Sequence, residues 1–347
     1  MFLKYVRKAV ASVLVALSLV TAADAAEKLS SAWIGEHETF VAWYAKQKGW
    51  DKEAGFDLSM MPFESGKNIV ESLAAYNWAV AGCGAVPALT TPLSDYLYIV
   101  AVANDESECN AIYVRKDSPI LKVMGMNPAY PLVHGSAVTV EKSEILYPKG
   151  TSAHYLLSTW LHILGLSEKD VKLNEMDPTP ALSAFNGGVG DAVALWAPLT
   201  YEAEAKGYKA VATSQDCGLA QLVLLVANRS FADQHPEKVQ AFLKMYMSGV
   251  EAMRSVPEEK LAAEYVRFHK EWTGKDISLE MATLDLRSHK VFTLDEQIAM
   301  MAPNGSVQKV LGEIVDFSIS QGSFTPEQID KMKSKTCPTP RFLEALK

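Results

Sequence analysis

Short extended apolar runs alternate with segments whose apolar residues recur at helical spacing over the first two thirds of the chain. Residues 28–34 (KLSSAWI), 55–60 (GFDLSM), 78–81 (WAVA) and 98–103 (YIVAVA) read as strands. Residues 40–48 (FVAWYAKQK) and 67–75 (KNIVESLAA) between them read as helices, the first ended by Gly49. Gly82-Cys83-Gly84 turns into a further helix with Pro87 in its first turn, where proline is tolerated. This alternation predicts right-handed βαβ units and a mostly parallel sheet.

Residues 120–215 repeat the scheme. Strands are expected at 136–140, 171–176 and 192–196, and helices at 154–164 and 179–186, the latter stopped by Gly187-Gly188. Two β-branched apolar runs flank this block, 111–115 (AIYVR) and 221–228 (QLVLLVAN), and read as strands crossing between lobes. From Phe231 onward the pattern is helical, with runs at 235–255, 258–272, 279–289 and 307–320 and a last helix opened by Thr325-Pro326-Glu327. Met245, Met247 and Met253 read as core filler. The expected fold is α/β and two-lobed, each lobe a mainly parallel sheet flanked by helices, with a helical C-terminal region. Residues 26–115 with 220–347 are assigned to the first lobe and 116–219 to the second.

Residues 1–25 stand apart from this pattern. Lys4, Arg7 and Lys8 precede the apolar run 9–20, and Ala23-Asp24-Ala25 supplies a small-x-small cleavage pattern. The run is too short for a membrane span and reads as a cleaved secretory signal ending at Ala25. No cysteine follows directly, so a lipid anchor is not expected, and the periplasm is the favoured compartment. Composition is that of a globular chain, 49% hydrophobic and 21% charged. Losing the leader removes three basic groups and one acidic one, making the remainder more acidic than the formal −8 of the whole chain. An acidic surface argues against nucleic acid and anionic membranes as partners, while a pocket's local field can still differ. Cys83, Cys109, Cys217 and Cys337 are widely spaced, without CxxC or a Cys/His cluster, so zinc and thioredoxin-like chemistry are not expected. One or two disulfides and buried free thiols both remain open readings.

Three strand-to-helix turns carry the candidate chemistry: 35–39, 82–85 and 149–152. In a parallel sheet these lie at the carboxyl edge, where ligands of open α/β folds bind. Each leads to a helix with unpartnered first N–H groups and a positive dipole end. Gly84, Ala85, Thr151 and Ser152 suit a small sulfonate or carboxylate there, although Thr151 or Ser152 serves equally as an ordinary N-cap. His37 and Glu38 lie at the first turn. Trp33 and Trp196 fall at strand carboxyl ends, one in each lobe, placed to sandwich a ligand's apolar part or a cation. Glu106 and Ser107 follow the fourth strand, where Glu106 reads equally as a partner for an ammonium group or as part of a solvated loop. The third glycine of a dinucleotide fingerprint is missing after Gly84, and GxxxxGK[ST], HExxH and GxSxG do not occur. His154 and His162 are eight residues apart, too far along one helix to share a metal, and read as solvated face residues. Neither catalysis nor a cofactor is expected.

The chain resembles the periplasmic substrate-binding proteins of the nitrate/sulfonate/taurine class of ABC transporters. The resemblance runs from about Trp33 to Met253. It rests on Gly49 with Gly55-Phe56, Gly82-x-Gly84-x-x-Pro87-Ala88-Leu89, and Val114-Arg115-Lys116-Asp117-Ser118-Pro119-Ile120. Further on it rests on Pro148-Lys149-Gly150-Thr151, on 191–198 (DAVALWAP) and on 227–242. The chain departs from the family pattern at 78–81, which lacks an acidic residue, and at the long 122–136 stretch. The resemblance implies two lobes that close on a small anionic or zwitterionic solute, contacts from 82–85 and 151–152, and delivery to inner-membrane permease subunits. A monomer suits such closure. A sensory protein or an exported enzyme on the same fold is the alternative.

Overall fold

The structure, a computed structural model, describes residues 26–322, 324–336 and 338–347. The expected leader and Cys337 lie outside the described residues. Two five-stranded sheets organise the chain (orders β2-β1-β3-β10-β4 and β7-β6-β8-β5-β9). The first sheet contains β1 (Glu27–Trp33), β2 (Phe56–Pro62), β3 (Val80–Gly84), β4 (Leu97–Asp105) and β10 (Leu222–Asn228). The second contains β5 (Asn110–Val114), β6 (Glu144–Tyr147), β7 (Lys172–Glu175), β8 (Ala192–Trp196) and β9 (Lys209–Thr213). Each sheet is mixed in the same way. In the first, β10 runs antiparallel to β3 and β4 while β1 pairs in parallel with β2 and β3. In the second, β5 runs antiparallel to β8 and β9 while β6 pairs in parallel with β7 and β8. The βαβ logic of the sequence therefore holds for four strands of each sheet, and the inserted strand is one of the two apolar runs expected to cross between lobes.

The crossing is earlier than the sequence placed it. Because β5 pairs with β8 and β9, the change of sheet falls in residues 106–109 and not at 115. The return passes through 214–221. These two connections are bonded to each other: the Glu106 N–H donates to the Gln221 carbonyl at 2.8 Å, and the Ser214 N–H to the Asn110 carbonyl at 3.1 Å.

Two local readings are corrected. Residues 136–140, expected as a strand, hold a short helix (Ala137–Val140) because Ser136 and Thr139 form a reciprocal capping box. The strand there is β6, only four residues long. The helix of 40–48 begins earlier, at His37, with Glu36 as its N-cap. The long 122–136 stretch is an irregular hairpin joined by a Met124–His134 bridge.

The first sheet and the C-terminal helices share one large core, whose fully buried side chains include Trp33, Trp78, Phe242 and Tyr246. Gly249 of the helix Pro236–Ser255 faces Val41 of the helix His37–Gln47, where an added Cβ would lie 2.8 Å from Val41 Cγ1. That close approach fixes the first site-bearing helix against the C-terminal region. The second sheet is covered on both faces by smaller clusters, one around Trp160 and Leu157 and one around Phe185 and Leu182. Tyr155 packs on Phe317 at 4.5 Å between ring centroids, so the C-terminal helices also touch the second sheet's layer. No helix among the described residues is long and apolar enough to cross a membrane. Cys83, Cys109 and Cys217 are free and buried.

Candidate functional site

The carboxyl ends of β1, β3 and β4 face those of β6 and β8 across a cleft. Its centre is a small cavity of about 20 Å³ lined by Ile34, Glu36, Gly66, Gly84, Pro87, Glu106, Thr151, Ser152 and Trp196. An outer cavity of about 360 Å³ shares Ile34, Glu36 and Trp196 with it and extends between Phe63, Pro178, Leu199, Trp272 and Lys275. Five residues singled out from the sequence therefore converge here: Gly84 and Glu106 from the first sheet, Thr151, Ser152 and Trp196 from the second.

Local chemistry explains each placement. Thr151 is the N-cap of the helix Ser152–Ile163, accepting from the His154 N–H at 3.4 Å while its hydroxyl donates to the Pro148 carbonyl at 2.6 Å. Gly150 before it has φ +75°, a left-handed conformation that favours glycine. The side-chain amide of Gln221 donates to the Ser152 carbonyl at 3.2 Å, tying this turn to the return connection. Gly84 ends β3 and opens onto Glu106: a Cβ built there would stand 4.0 Å from Glu106 Oε1. Trp196 ends β8 beside Asn110 of β5.

The other five candidates sit beside the cleft without lining either cavity. Trp33 is fully buried; its indole N–H donates to Ser31 Oγ at 2.7 Å and its ring stacks on Tyr246. It is core, because β1 turns that side chain toward the C-terminal helices. Glu38 is likewise fully buried, against Gly82, where an added Cβ would meet Glu38 Cγ and the Trp33 ring at 2.8 Å each. Ala85 is packed into the first-sheet core. Ser107 belongs to the crossing connection, donating to Asp105 Oδ1 and accepting from the Gln221 N–H at 2.9 Å.

His37 belongs to a separate buried group. Asp285 Oδ2 lies 3.7 Å from His37 Nδ1 and 3.5 Å from His289 Nδ1, and the donor atoms of all three residues lie within 4.8 Å of one another. As a metal centre the group fits poorly. The two imidazoles are stacked with only 4° between their planes, so no ion sits in both planes at once, and His289 Nδ1 already contacts the Asp285 carbonyl at 2.9 Å. A buried charge cluster describes it better. Burial holds His37 below the usual histidine range, with Asp285 opposing. Burial pushes Asp285 up, but His289 and His37 outweigh it and hold its carboxyl below the ordinary value.

Burial of polar side chains around the cleft changes the picture. Glu36, which the sequence pattern did not single out as a contact, lines both cavities at 5% exposure. Burial raises its pKa well above the ordinary value, and Glu38 and Glu106 raise it further. Glu106, 3% exposed, is pushed up to about 7 by burial, with His289, Ser152 and Asn110 opposing. Burial likewise pushes Glu38 up to about 8. His154, expected as a solvated residue, is half-buried and meets Glu168 at 2.8 Å.

Known proteins share this architecture. The chain is 25% identical over 280 residues to a protein of Brachyspira hyodysenteriae named as an ABC transporter periplasmic binding protein, covering 80% of this chain and 78% of that one. It is 26% identical over 202 residues to the taurine-binding periplasmic protein of Escherichia coli K12, covering 56% of each. Among solved structures, the alkanesulfonate-binding protein SsuA from Xanthomonas axonopodis pv. citri bound to MOPS aligns with a TM-score of 0.66 at 18% identity, covering 88% of this chain and 97% of that one. The periplasmic nitrate-binding protein NrtA of Synechocystis PCC 6803 aligns with a TM-score of 0.70 at 14% identity, covering 92% and 87%. These likenesses show a periplasmic-binding-protein fold. Residues 26–267 match the model of the NMT1-like family, and with that match over most of its length the chain belongs to that family.

Proposed function

We propose that the chain is the solute-capturing component of an ABC importer, holding a small zwitterionic or anionic organic solute in the cleft between two closing lobes. The observation that carries this reading is the pair of sheets with one strand order, joined by two mutually bonded connections, whose carboxyl edges meet at a shared cavity. The lobes are residues 26–105 with 222–347, and 110–213, with the connections between them as the hinge. Gly84, Glu106, Thr151, Ser152 and Trp196, joined by Glu36, are the solute contacts. Hinge closure around a ligand needs only that the closed state binds better than the open one. The names of the relatives support binding over catalysis, delivery to permease subunits and export to the periplasm, and cleavage after Ala25 rests on the Ala23-Asp24-Ala25 pattern alone.

The test is a thermal-shift panel of sulfonates, aminosulfonates, amino acids, carboxylates, pyrimidines and nitrate, followed by small-angle scattering. A true ligand at a hundredfold excess over its Kd adds about 2.7 kcal/mol of stability and compacts the particle. A panel in which no compound raises Tm removes the assignment.

A further inference from the structure

A helix N-terminus that receives a ligand anion must offer it free N–H groups. The helix His37–Gln47 points its N-terminus at the cleft, but its N-cap is Glu36 and its first turn contains Glu38. Two of the protein's own acidic residues stand at that positive end, although Glu36 makes no side-chain capping bond. The opposing helix, Ser152–Ile163, meets a third carboxylate, since Glu106 lines the same cavity as Thr151 and Ser152. Glu36 is faced by Glu38, Glu106, Asp285 and Trp196, and Glu106 by Glu36, Asp105, His289, Ser152 and Asn110. None of the residues lining the central cavity is Lys, Arg or His. A sulfonate lodged there would lose its water with no cation beside it and would force Glu36 and Glu106 to stay neutral, which is the costly arrangement for a desolvated charge.

Size points the same way. A central cavity of about 20 Å³ compares with the roughly 10–15 Å³ needed for one water, and so admits a single ammonium-sized group. The body of a solute would occupy the outer cavity of about 360 Å³, whose lining includes Lys275, paired with Glu202 at 3.5 Å, and His269. Trp196 borders both spaces and turns its side-chain donor toward Glu36.

We infer that the solute carries a protonated amine or amidine that enters the central cavity between Glu36 and Glu106, with any anionic end directed outward to the Lys275 side. This inference rests on the solute-binding reading and narrows it to ammonium-bearing solutes, cations and zwitterions. Binding then ionises carboxylates that burial keeps partly protonated, so protons are released.

Calorimetry near pH 7, in two buffers of different ionisation enthalpy, compares 2-aminoethanesulfonate, ethanesulfonate, ethylammonium and benzamidinium. At least one amine or amidine probe is expected to bind about tenfold or more tighter than ethanesulfonate, with proton release. Glu106→Gln is expected to remove about tenfold of that preference. Should Glu106→Gln fail to fold, Glu36→Gln serves the same comparison. Ethanesulfonate binding as tightly as the amines, proton uptake on binding, a gain in sulfonate affinity in either variant, or no binding by any amine probe at millimolar concentration overturns the inference. If ethanesulfonate binds without an amine, only the inference fails. If the whole thermal-shift panel is also silent, the solute-binding reading fails with it.

Discussion

Two helix N-termini meet at the cleft, and they are finished differently. At Ser152–Ile163 the cap is a hydroxyl: Thr151 satisfies one N–H and leaves the end positive. At His37–Gln47 the cap is Glu36, which makes no side-chain capping bond, and Glu38 follows in the first turn. Both carboxyls are buried, where the charged form is disfavoured. The sequence suggests equivalent anion sites at such turns. The structure shows one half of the cleft neutral and donor-rich and the other acidic, so a solute bridging them meets different chemistry at each end. Relatives named for sulfonates or taurine share the scaffold, and the charge preference proposed above rests on the few side chains at these turns.

The comparison is broken most severely by changing what supports the acidic side. Gly82→Ala places a Cβ 2.8 Å from Glu38 Cγ and from the Trp33 ring. Overpacking of this kind is expected to cost about 1–3 kcal/mol, seen as a lower midpoint in urea denaturation. Gly84→Ala in the same strand end has 3.7 Å or more of clearance to Pro87 and Glu106, and serves as the control with little loss.

The acidic side also predicts a pH response. Glu106 near 7 and Glu38 near 8 hold their protons more tightly in the folded chain than at the ordinary value of 4.5. The folded state therefore binds more protons than the unfolded one in this window. On their account stability is fully present below about pH 4.5 and declines as pH rises, until about 7 for Glu106 and 8 for Glu38. Tm measured without solute between pH 5 and 8.5 is expected to fall, and Glu38→Gln to flatten the slope. A Tm that climbs over this range contradicts the burial of these groups as neutral acids.

On the hydroxyl side, Thr151→Ala removes a side-chain cap and is expected to cost about 1 kcal/mol, with a matching fall in Tm and no change in its pH slope. Smallest of all is the bond between the two sides at the surface. Lys67, beside Gly66 of the first half, meets Glu175 of β7 at 3.1 Å, with both side chains at least a third exposed. Lys67→Ala should change stability by under about 1 kcal/mol, and a double-mutant cycle with Glu175→Ala at low and high salt measures it.

Much of the fold is legible in hydrophobic periodicity, because a strand buried on both faces must be apolar throughout. The runs at 98–103, 111–115, 192–196 and 221–228 all became strands for that reason. Short or half-exposed strands were harder to read. β9 begins with exposed Lys209, and the β-branched residues of 136–140 suggested a strand although Val138 is 89% exposed and the local capping box makes a helix.

By itself the sequence determined most of the strands and helices and where glycine and hydroxyl turns fall at strand carboxyl ends. Those properties follow from local backbone sterics and from the burial pattern of single segments. Only the tertiary structure decided which side chains face the cleft. Trp33 and Glu36 are three residues apart around one strand end, yet the first stacks in the core on Tyr246 and the second lines both cavities. The direction of a side chain at such a turn depends on what packs behind it, here the C-terminal helices some two hundred residues onward in the chain. The burial that raises Glu36, Glu38 and Glu106 exists only once both halves and those helices have met, so the charge the cleft accepts is a property of the assembly and not of any motif.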